Sequence, residues 1–392
     1  MERLFTWTNL EIYLSIAAGI FFIIQFLYYR IDWNRPYRFS RRADRTPGDE
    51  AAGACQPVSV VIYAKDESEN LRRNLYAVLQ QEYPEYQVVV VNDGSSSESD
   101  EVLKRYEYQY PHLYHTYIPE DVKYLSRKKL ALTIGIKAAK YDILLFTEAG
   151  CLPADKHWIA RMARNFTEGT DIVLGFCAYE NKKGFLHKLA AYDNLLTGLH
   201  YLSSALAGRP FMGCGKNLAY RKKLFFDHKG YSQTLNLHAG EDDLFVNQLA
   251  TPQNTRVEYS PESITRMAPY SRFKAWKEMK VSRAATMRYY RGRRLTFYRF
   301  GDISRYLFLL SVAALVIAAA ISGHPLAAAA GIALYLLHFL IQAAVLRNAS
   351  RMLQQKPVAA WLPLLEIFRP FYDLYVRIYR IFRGKNDYTF RL

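Results

Sequence analysis

Apolar and polar positions divide the chain into segments of three kinds. From Ile12 to Tyr29, reading IYLSIAAGIFFIIQFLYY, no residue carries a charge. That length is close to the shortest helix able to cross a bilayer core. A cleaved leader would have a basic start, whereas MERLFTWTNLE holds two acids and one Arg, so a retained anchor is predicted over 1–29. Tyr306 to Leu346 is a second apolar stretch, and Gly323-His324-Pro325 splits it. Gly and Pro together end one helix and open the next, which predicts a transmembrane hairpin within 301–346. The last segment, Ala359 to Arg383, interleaves Trp361, Phe368, Phe371, Tyr372, Tyr375 and Tyr379 with Glu366, Arg369, Asp373, Arg377 and Arg380. That mixture predicts an amphipathic helix lying in a membrane interface rather than crossing it.

Between these segments the period changes. Pro57 to Tyr63 (PVSVVIY), Gln87 to Val91 (QVVVV) and Tyr141 to Phe146 (YDILLF) are short apolar runs. Their length and composition predict buried strands. Leu71, Leu75, Val78 and Leu79 recur at helical spacing, and Leu125 to Ala139 reads as another helix. Alternating strands and helices predict an α/β domain with a doubly wound, mostly parallel sheet. Ligands of such sheets collect beyond the carboxyl ends of the strands. Asp66-Glu67, Asp93 and Glu148 each follow a strand, so three acidic loops are expected to converge on one edge. A Gly-rich dinucleotide turn is absent, since that place reads Tyr63-Ala64-Lys65-Asp66-Glu67-Ser68, and no Walker loop occurs.

Charge narrows the partners. Lys and Arg number 52 against 36 Asp and Glu, a net charge of +16, which favours an anionic partner. Arg30 to Arg45 holds six Arg and two Asp. Arg288, Arg291, Arg293, Arg294, Arg299 and Arg305 precede the hairpin, and Arg347, Arg351 and Lys356 follow it. Basic flanks of apolar spans stay cytoplasmic, so residues 30–305 are expected on that side. With this much charge at membrane flanks, and no zinc-finger, recognition-helix or RNA-binding signature, no nucleic-acid partner is expected. The four cysteines stand far apart without a C-x-x-C pair, which excludes Cys-ligated zinc of the usual spacing and a disulfide-dense scaffold.

Candidate chemistry lies in short charged clusters. Glu241-Asp242-Asp243 puts three adjacent acids at the start of an apolar run. Such a cluster caps a helix or supplies a general base, and the two uses are compatible. Arg127-Lys128-Lys129 reads either as a solvated helix face or as a cation for phosphate. Six segments then follow in order: VSVVIYAKDESENL (58–71), VVVVNDGSSSESD (88–100), RKKLALTIGI (127–136), ILLFTEAGCLPAD (143–155), GCGKNLAYRKKLF (213–225) and GEDDLFVNQL (240–249). The series resembles the family 2 glycosyltransferases over Pro57 to Tyr290, and the flanking spans resemble those of membrane-bound bacterial members.

The resemblance implies a GT-A fold and inverting transfer of a sugar from a nucleotide-diphosphate sugar, UDP-linked. It implies that Glu67 and Asp93 hold the nucleotide's base and ribose and that Lys128 lies near the sugar nucleotide. It also implies a divalent cation, Mg2+ or Mn2+, where the family carries Asp-x-Asp. Here that stretch is Glu148-Ala149-Gly150, so Glu148 is the expected metal residue and the last carboxylate is missing. Gly213, Asn217 and Arg221 match the acceptor-side segment, with Trp276 and Lys280 on a following helix. Asp242 is the expected catalytic base, flanked by Glu241 and Asp243. Processive members carry Gln-x-x-Arg-Trp, whereas the chain after Trp276 reads MKVSR over 279–283. Transfer of one sugar to a lipid-linked or membrane-surface glycan acceptor is therefore expected. A processive polysaccharide synthase and a non-catalytic scaffold in an envelope-polysaccharide assembly are the alternatives. The expected layout is a multi-pass protein of the bacterial inner membrane. Its anchor spans 1–29, a basic juxtamembrane linker 30–56, a cytoplasmic catalytic domain 57–300, the hairpin 301–346, and an interfacial helix with tail 347–392.

Overall fold

The computed structural model describes residues 7–43, 55–93, 97–118, 126–356 and 358–383. Its strands are β1 Val58–Ala64, β2 Tyr86–Asn92, β3 Leu113–Tyr117, β4 Ile143–Glu148, β5 Cys151–Pro153, β6 Ile172–Leu174, β7 Cys177–Tyr179, β8 Leu218–Arg221, β9 Thr255–Val257 and β10 Thr265–Met267. Seven of them form one sheet in the order β3-β2-β1-β4-β8-β6-β9, and β5-β10-β7 form a small second sheet. β3, β2, β1 and β4 run parallel, while β8 runs antiparallel to β4 and β6.

The three strands read from the sequence are the centre of this sheet. Side chains alternate between two layers. Val60 and Ile62 pack with Leu71, Leu75, Val78 and Trp158 on one face, and Val61 packs with Leu132, Ile136 and Phe146 on the other. Both faces are covered, which is why these strands read as unbroken apolar runs. Register brings their ends level, with Ala64 opposite Asn92 and Tyr63 opposite Glu148. The three acidic loops therefore start at one edge, as expected.

The N-terminal helix Asn9–Leu27 continues through a π-helical turn, Tyr28–Trp33, into a helix over Arg35–Ala43. Residues 30–43, expected as linker, are thus helical. Tyr29 and Trp33 are buried, Trp33 lies against His200 with ring centroids 5.8 Å apart, and Asp32 pairs with Arg35 at 3.1 Å. Residues 44–54 of that linker lie outside the described residues. The hairpin consists of helices Arg294–Ser322 and Pro325–Met352, so its start moves from 301 back to Arg294. Gly323 closes the first helix at φ 72° and Pro325 opens the second. Asn9–Arg42, Arg294–Ser322 and Pro325–Met352 are each long and apolar enough to cross a membrane. Ile16, Ile20, Leu310, Ile317 and Leu340 face outward from them, an arrangement suited to lipid.

The helix Leu362–Phe382 is amphipathic as expected, but its polar face is turned inward. Ile367, Phe371, Leu374 and Ile381 are exposed, while Glu366, Arg369 and Tyr372 are buried. Arg369 meets Asp302 at 3.2 Å, and Arg305 reaches Asp302 at 2.8 Å and Glu366 at 3.6 Å. These buried ion pairs seat the charged face on protein and leave the apolar face outside. Residues 384–392 of the expected tail lie outside the described residues.

Candidate active site

A cleft with about 320 Å³ of empty space opens beyond β1 and β4, lined by Tyr63, Lys128, Thr147, Glu148, Gly215, Glu241 and Asp242 among others. Lys128 enters it from the helix Arg127–Ala138. Its Nζ lies 2.6 Å from Glu148 Oε1 and 2.9 Å from Glu241 Oε1, and 5.7 Å from the Tyr63 ring centre. One ammonium thereby ties the loop after β4 to the acidic triplet. Burial alone would lower the pKa of Lys128, but Glu148, Glu241 and Asp242 reverse that and hold it well above the usual lysine value. Burial pushes Glu148 up, yet Lys128 and Lys216 outweigh it and hold its carboxyl at about 2. Both partners are charged at neutral pH.

The three acids have different surroundings. Asp242 caps the helix Asp243–Leu249, its Oδ1 accepting from the Asp243 N–H at 2.7 Å and its Oδ2 from the Gly215 N–H at 2.7 Å. A Cβ at Gly215 would stand 3.3 Å from the Asp242 Cβ, so glycine permits this close approach. Asp242 is half-buried and lines the cleft. Glu241 is buried, and its Oε2 has no hydrogen-bond partner among the described residues. Asp243 is buried and turned away, accepting from Tyr290 Oη at 2.7 Å and from Thr286 Oγ1. Burial, with Asp242 next, raises its carboxyl from 3.8 to about 6. The stability it lends is full below the unfolded value of 3.8 and is lost as pH rises through about 6. Asp243→Asn should flatten that dependence in melting temperatures measured from pH 4 to 7, and an unchanged slope would refute it.

Of the residues expected to hold the donor, Asp93 is buried and accepts from Tyr63 Oη at 2.7 Å and from Arg127 Nε, with Lys65 Nζ at 3.9 Å. Glu67 accepts from Asn70 Nδ2, and burial pushes its carboxyl up. Asp66 holds a φ of 52°, the left-handed region, and so bends the chain between β1 and the next helix. Gly94 and Ser95, which follow Asp93, lie outside the described residues. Beneath the acids, Lys129 is buried and donates to the Leu237 carbonyl at 3.0 Å and to that of Thr234, pinning the loop that leads to Glu241. Burial lowers its pKa to about 8.

The acceptor-side expectations need correction. Gly213 serves packing, because a Cβ there would fall 2.8 Å from Val246 Cγ2. Asn217 is an interior brace, accepting from Trp158 Nε1 at 3.1 Å and donating to the carbonyls of Phe176 and Ser263. Arg221 ends β8 opposite Ile143, at the far edge of the sheet, and pairs with Asp142 at 3.0 Å. Trp276 is buried and stacks on Tyr372 with ring centroids 4.3 Å apart. Lys280 pairs with Asp193 outside the cleft lining. Two other cations stand near the acids. Lys216, in the loop before β8, lies 5.7 Å and 5.8 Å from the ring centres of Tyr179 and Tyr270. Arg283, half-buried, stands within electrostatic reach of Cys214 and Asp242. Only the Lys between Gly215 and Asn217 signalled the first.

The implied divalent ion fits this donor set poorly. Gly150 offers no side-chain oxygen, Glu148 is already held by Lys128, and no group of three His, Cys, Asp or Glu side chains among the described residues is arranged to hold a metal. Mg2+ and Mn2+ prefer several oxygen ligands. Glu148 as a metal residue is therefore revised to an ion-pair partner of Lys128.

Residues 59–227 match the family described as Glycosyl transferase family 2. The poly-β-1,6-N-acetyl-D-glucosamine synthases of Staphylococcus epidermidis and Staphylococcus aureus are each 24% identical to the chain, over 275 and 274 residues. Those alignments cover 69% of this chain and 63% of the relatives, so the chain spans less than two thirds of their length. A mannosyltransferase from Pyrobaculum calidifontis, solved in complex with GDP-mannose and Mn2+, superposes with a TM-score of 0.55 at 20% identity, over 88% of this chain and 99% of that one. At that identity the likeness speaks for the fold. The family match runs from β1 to the helix after β8, through the mostly parallel sheet whose edge holds the cleft. Residues 59–227 thus match a family 2 glycosyltransferase domain, set in a GT-A-like fold.

Proposed function

We propose that the chain is an inverting glycosyltransferase on the cytoplasmic face of a bacterial inner membrane. It moves one sugar from a UDP-linked donor to a lipid-linked or membrane-surface glycan acceptor. The observation that carries this reading is the division of labour among the three acids. Glu241 is engaged by Lys128, Asp243 is locked by Tyr290 and Thr286, and Asp242 lines the cleft half-buried, held among the described residues only by two backbone N–H groups. Asp242 takes the proton of the acceptor hydroxyl while that oxygen bonds to the anomeric carbon. The bond from that carbon to the diphosphate breaks, and its electron pair leaves with the nucleotide. Glu241 Oε2, buried and unpartnered among the described residues, is a spare acceptor in the cleft wall. Attack from the side opposite the leaving group inverts the anomeric centre. NMR of the product formed with membrane lipid should show the configuration opposite to the donor's; retention would sink the single-displacement reading.

A processive synthase is the second reading, favoured by the names of the Staphylococcus relatives. The stretch MKVSR over 279–283 speaks against it. A single added sugar supports transfer, and a ladder of products supports the synthase.

Two further outcomes test the donor and the orientation. Asp93→Ala removes a carboxylate that organises Tyr63 and Arg127. A hydrogen bond to a charged group is worth about 1.5–3 kcal/mol, so UDP affinity should fall about tenfold or more. Unchanged affinity in a folded variant would remove Asp93 from the donor site. A reporter enzyme fused after residue 100 should behave as cytoplasmic, because basic residues flank the spans. Activity of that fusion outside the membrane would overturn the orientation.

A further inference from the structure

We propose that this site uses its own lysines in place of a divalent ion: Lys128 bridges Glu148 and Glu241, and Lys216 receives the donor's diphosphate. The inference rests on the nucleotide-sugar reading above. Lys128 Nζ is already in contact with both carboxylates, at 2.6 Å and 2.9 Å. An ion bridging Glu148 and Glu241 would have to displace that ammonium or sit against its charge. Sterics do not explain the missing ligand. A Cβ at Gly150 would find only Asn70 Nδ2, at 3.7 Å, an ordinary contact, and Gly150 has no left-handed φ. A carboxylate could stand there, and the chain lacks one.

Lys216 is the cation left over for substrate. It lies on the loop that also gives the Gly215 N–H to Asp242, and its charge acts on Glu148 of the cleft. Its ammonium rests against the faces of Tyr179 and Tyr270, and among the described residues it makes no ion pair. The nearby Glu148 charge belongs to Lys128. Aromatic walls hold an ammonium without consuming its three N–H donors. When the anomeric bond breaks, the electron pair passes to the diphosphate, and a fixed cation beside it stabilises that charge. Lys128 and Lys216 then divide the two tasks otherwise given to one metal ion, balancing the acids and balancing the phosphates.

Detergent-solubilised full-length protein tests this with UDP as probe and GDP alongside. Titration calorimetry is run in EDTA, in Mg2+ and in Mn2+, with Mn2+ uptake followed by EPR. Wild type should bind UDP within about twofold in all three conditions and take up no Mn2+. Lys216→Ala should weaken UDP about tenfold in each condition and leave uridine binding unchanged. Lys128→Ala, which bares both acids, should take up Mn2+ where wild type does not. If that variant does not fold, the wild-type and Lys216→Ala measurements decide alone. UDP binding that strengthens tenfold or more with Mn2+, accompanied by Mn2+ held on wild type, overturns the inference and leaves the donor reading standing. Lys216→Ala with unchanged UDP affinity overturns the part given to Lys216. Failure to bind either nucleotide under any condition sinks the donor reading, and this inference with it.

Discussion

Asp242→Asn is expected to lower turnover by about 10²–10⁴, the usual contribution of a general base. The amide keeps the size of the side chain but cannot accept the acceptor's proton. It can satisfy only one of the two N–H donors now held by Asp242, those of Gly215 and Asp243. A melting measurement therefore accompanies the kinetics. UDP affinity should change little, because the base acts on the acceptor hydroxyl. Asp243→Asn should cost far less, since Asp243 is occupied by Tyr290 and Thr286 on the side away from the cleft. Glu241→Gln should act through Lys128, which would lose one of its two carboxylates. If all three variants retained near-normal transfer, the triplet would be a helix cap alone, and the non-catalytic scaffold reading would gain ground.

Arg305→Ala is expected to lose about 3–5 kcal/mol of stability, the cost of removing one partner from a buried ionic cluster. Arg305 is almost fully buried between Asp302 and Glu366. Removing its charge leaves the buried Glu366 without its cation, while the half-buried Asp302 keeps only Arg369. The loss falls where the helix Leu362–Phe382 docks, so detergent unfolding should show that segment releasing first. Arg377→Ala on the exposed side of the same helix should stay within about 0.5 kcal/mol. Equal melting of the two variants would mean that the cluster does not hold this helix.

The legible parts of the fold were those with a strong period. β1, β2 and β4 are covered on both faces, so each reads as an apolar run, and their shared register puts Glu67, Asp93 and Glu148 at one edge. β3 is an edge strand, LYHTY, whose polar His115 and Thr116 blur the alternation, and the three-residue strands have no period to read. The acidic triplet was legible as a cluster, but its division of labour depends on Thr286 and Tyr290, which lie on a distant segment. The acceptor-side residues failed for a related reason. A motif gives a position in order, not a side-chain direction. Leu218 lies at the site edge of β8, while Arg221, at its other end, lies at the opposite edge. Trp276 finds Tyr372 on a helix from another part of the chain. The inward polar face of Leu362–Phe382 was hidden likewise, because its partners Asp302 and Arg305 sit on the hairpin.

Sugar transfer in the cleft depends, on this reading, on Asp242. The decisive measurement offers detergent-purified protein a panel of nucleotide sugars together with membrane lipid. Release of nucleoside diphosphate and labelling of the lipid phase are measured for wild type and for Asp242→Asn. Wild type should release the diphosphate and label the lipid from at least one UDP-sugar, and Asp242→Asn, folded and still binding UDP, should do so about 10²–10⁴ times more slowly. Equal release by the two proteins, or none from any donor, would contradict it.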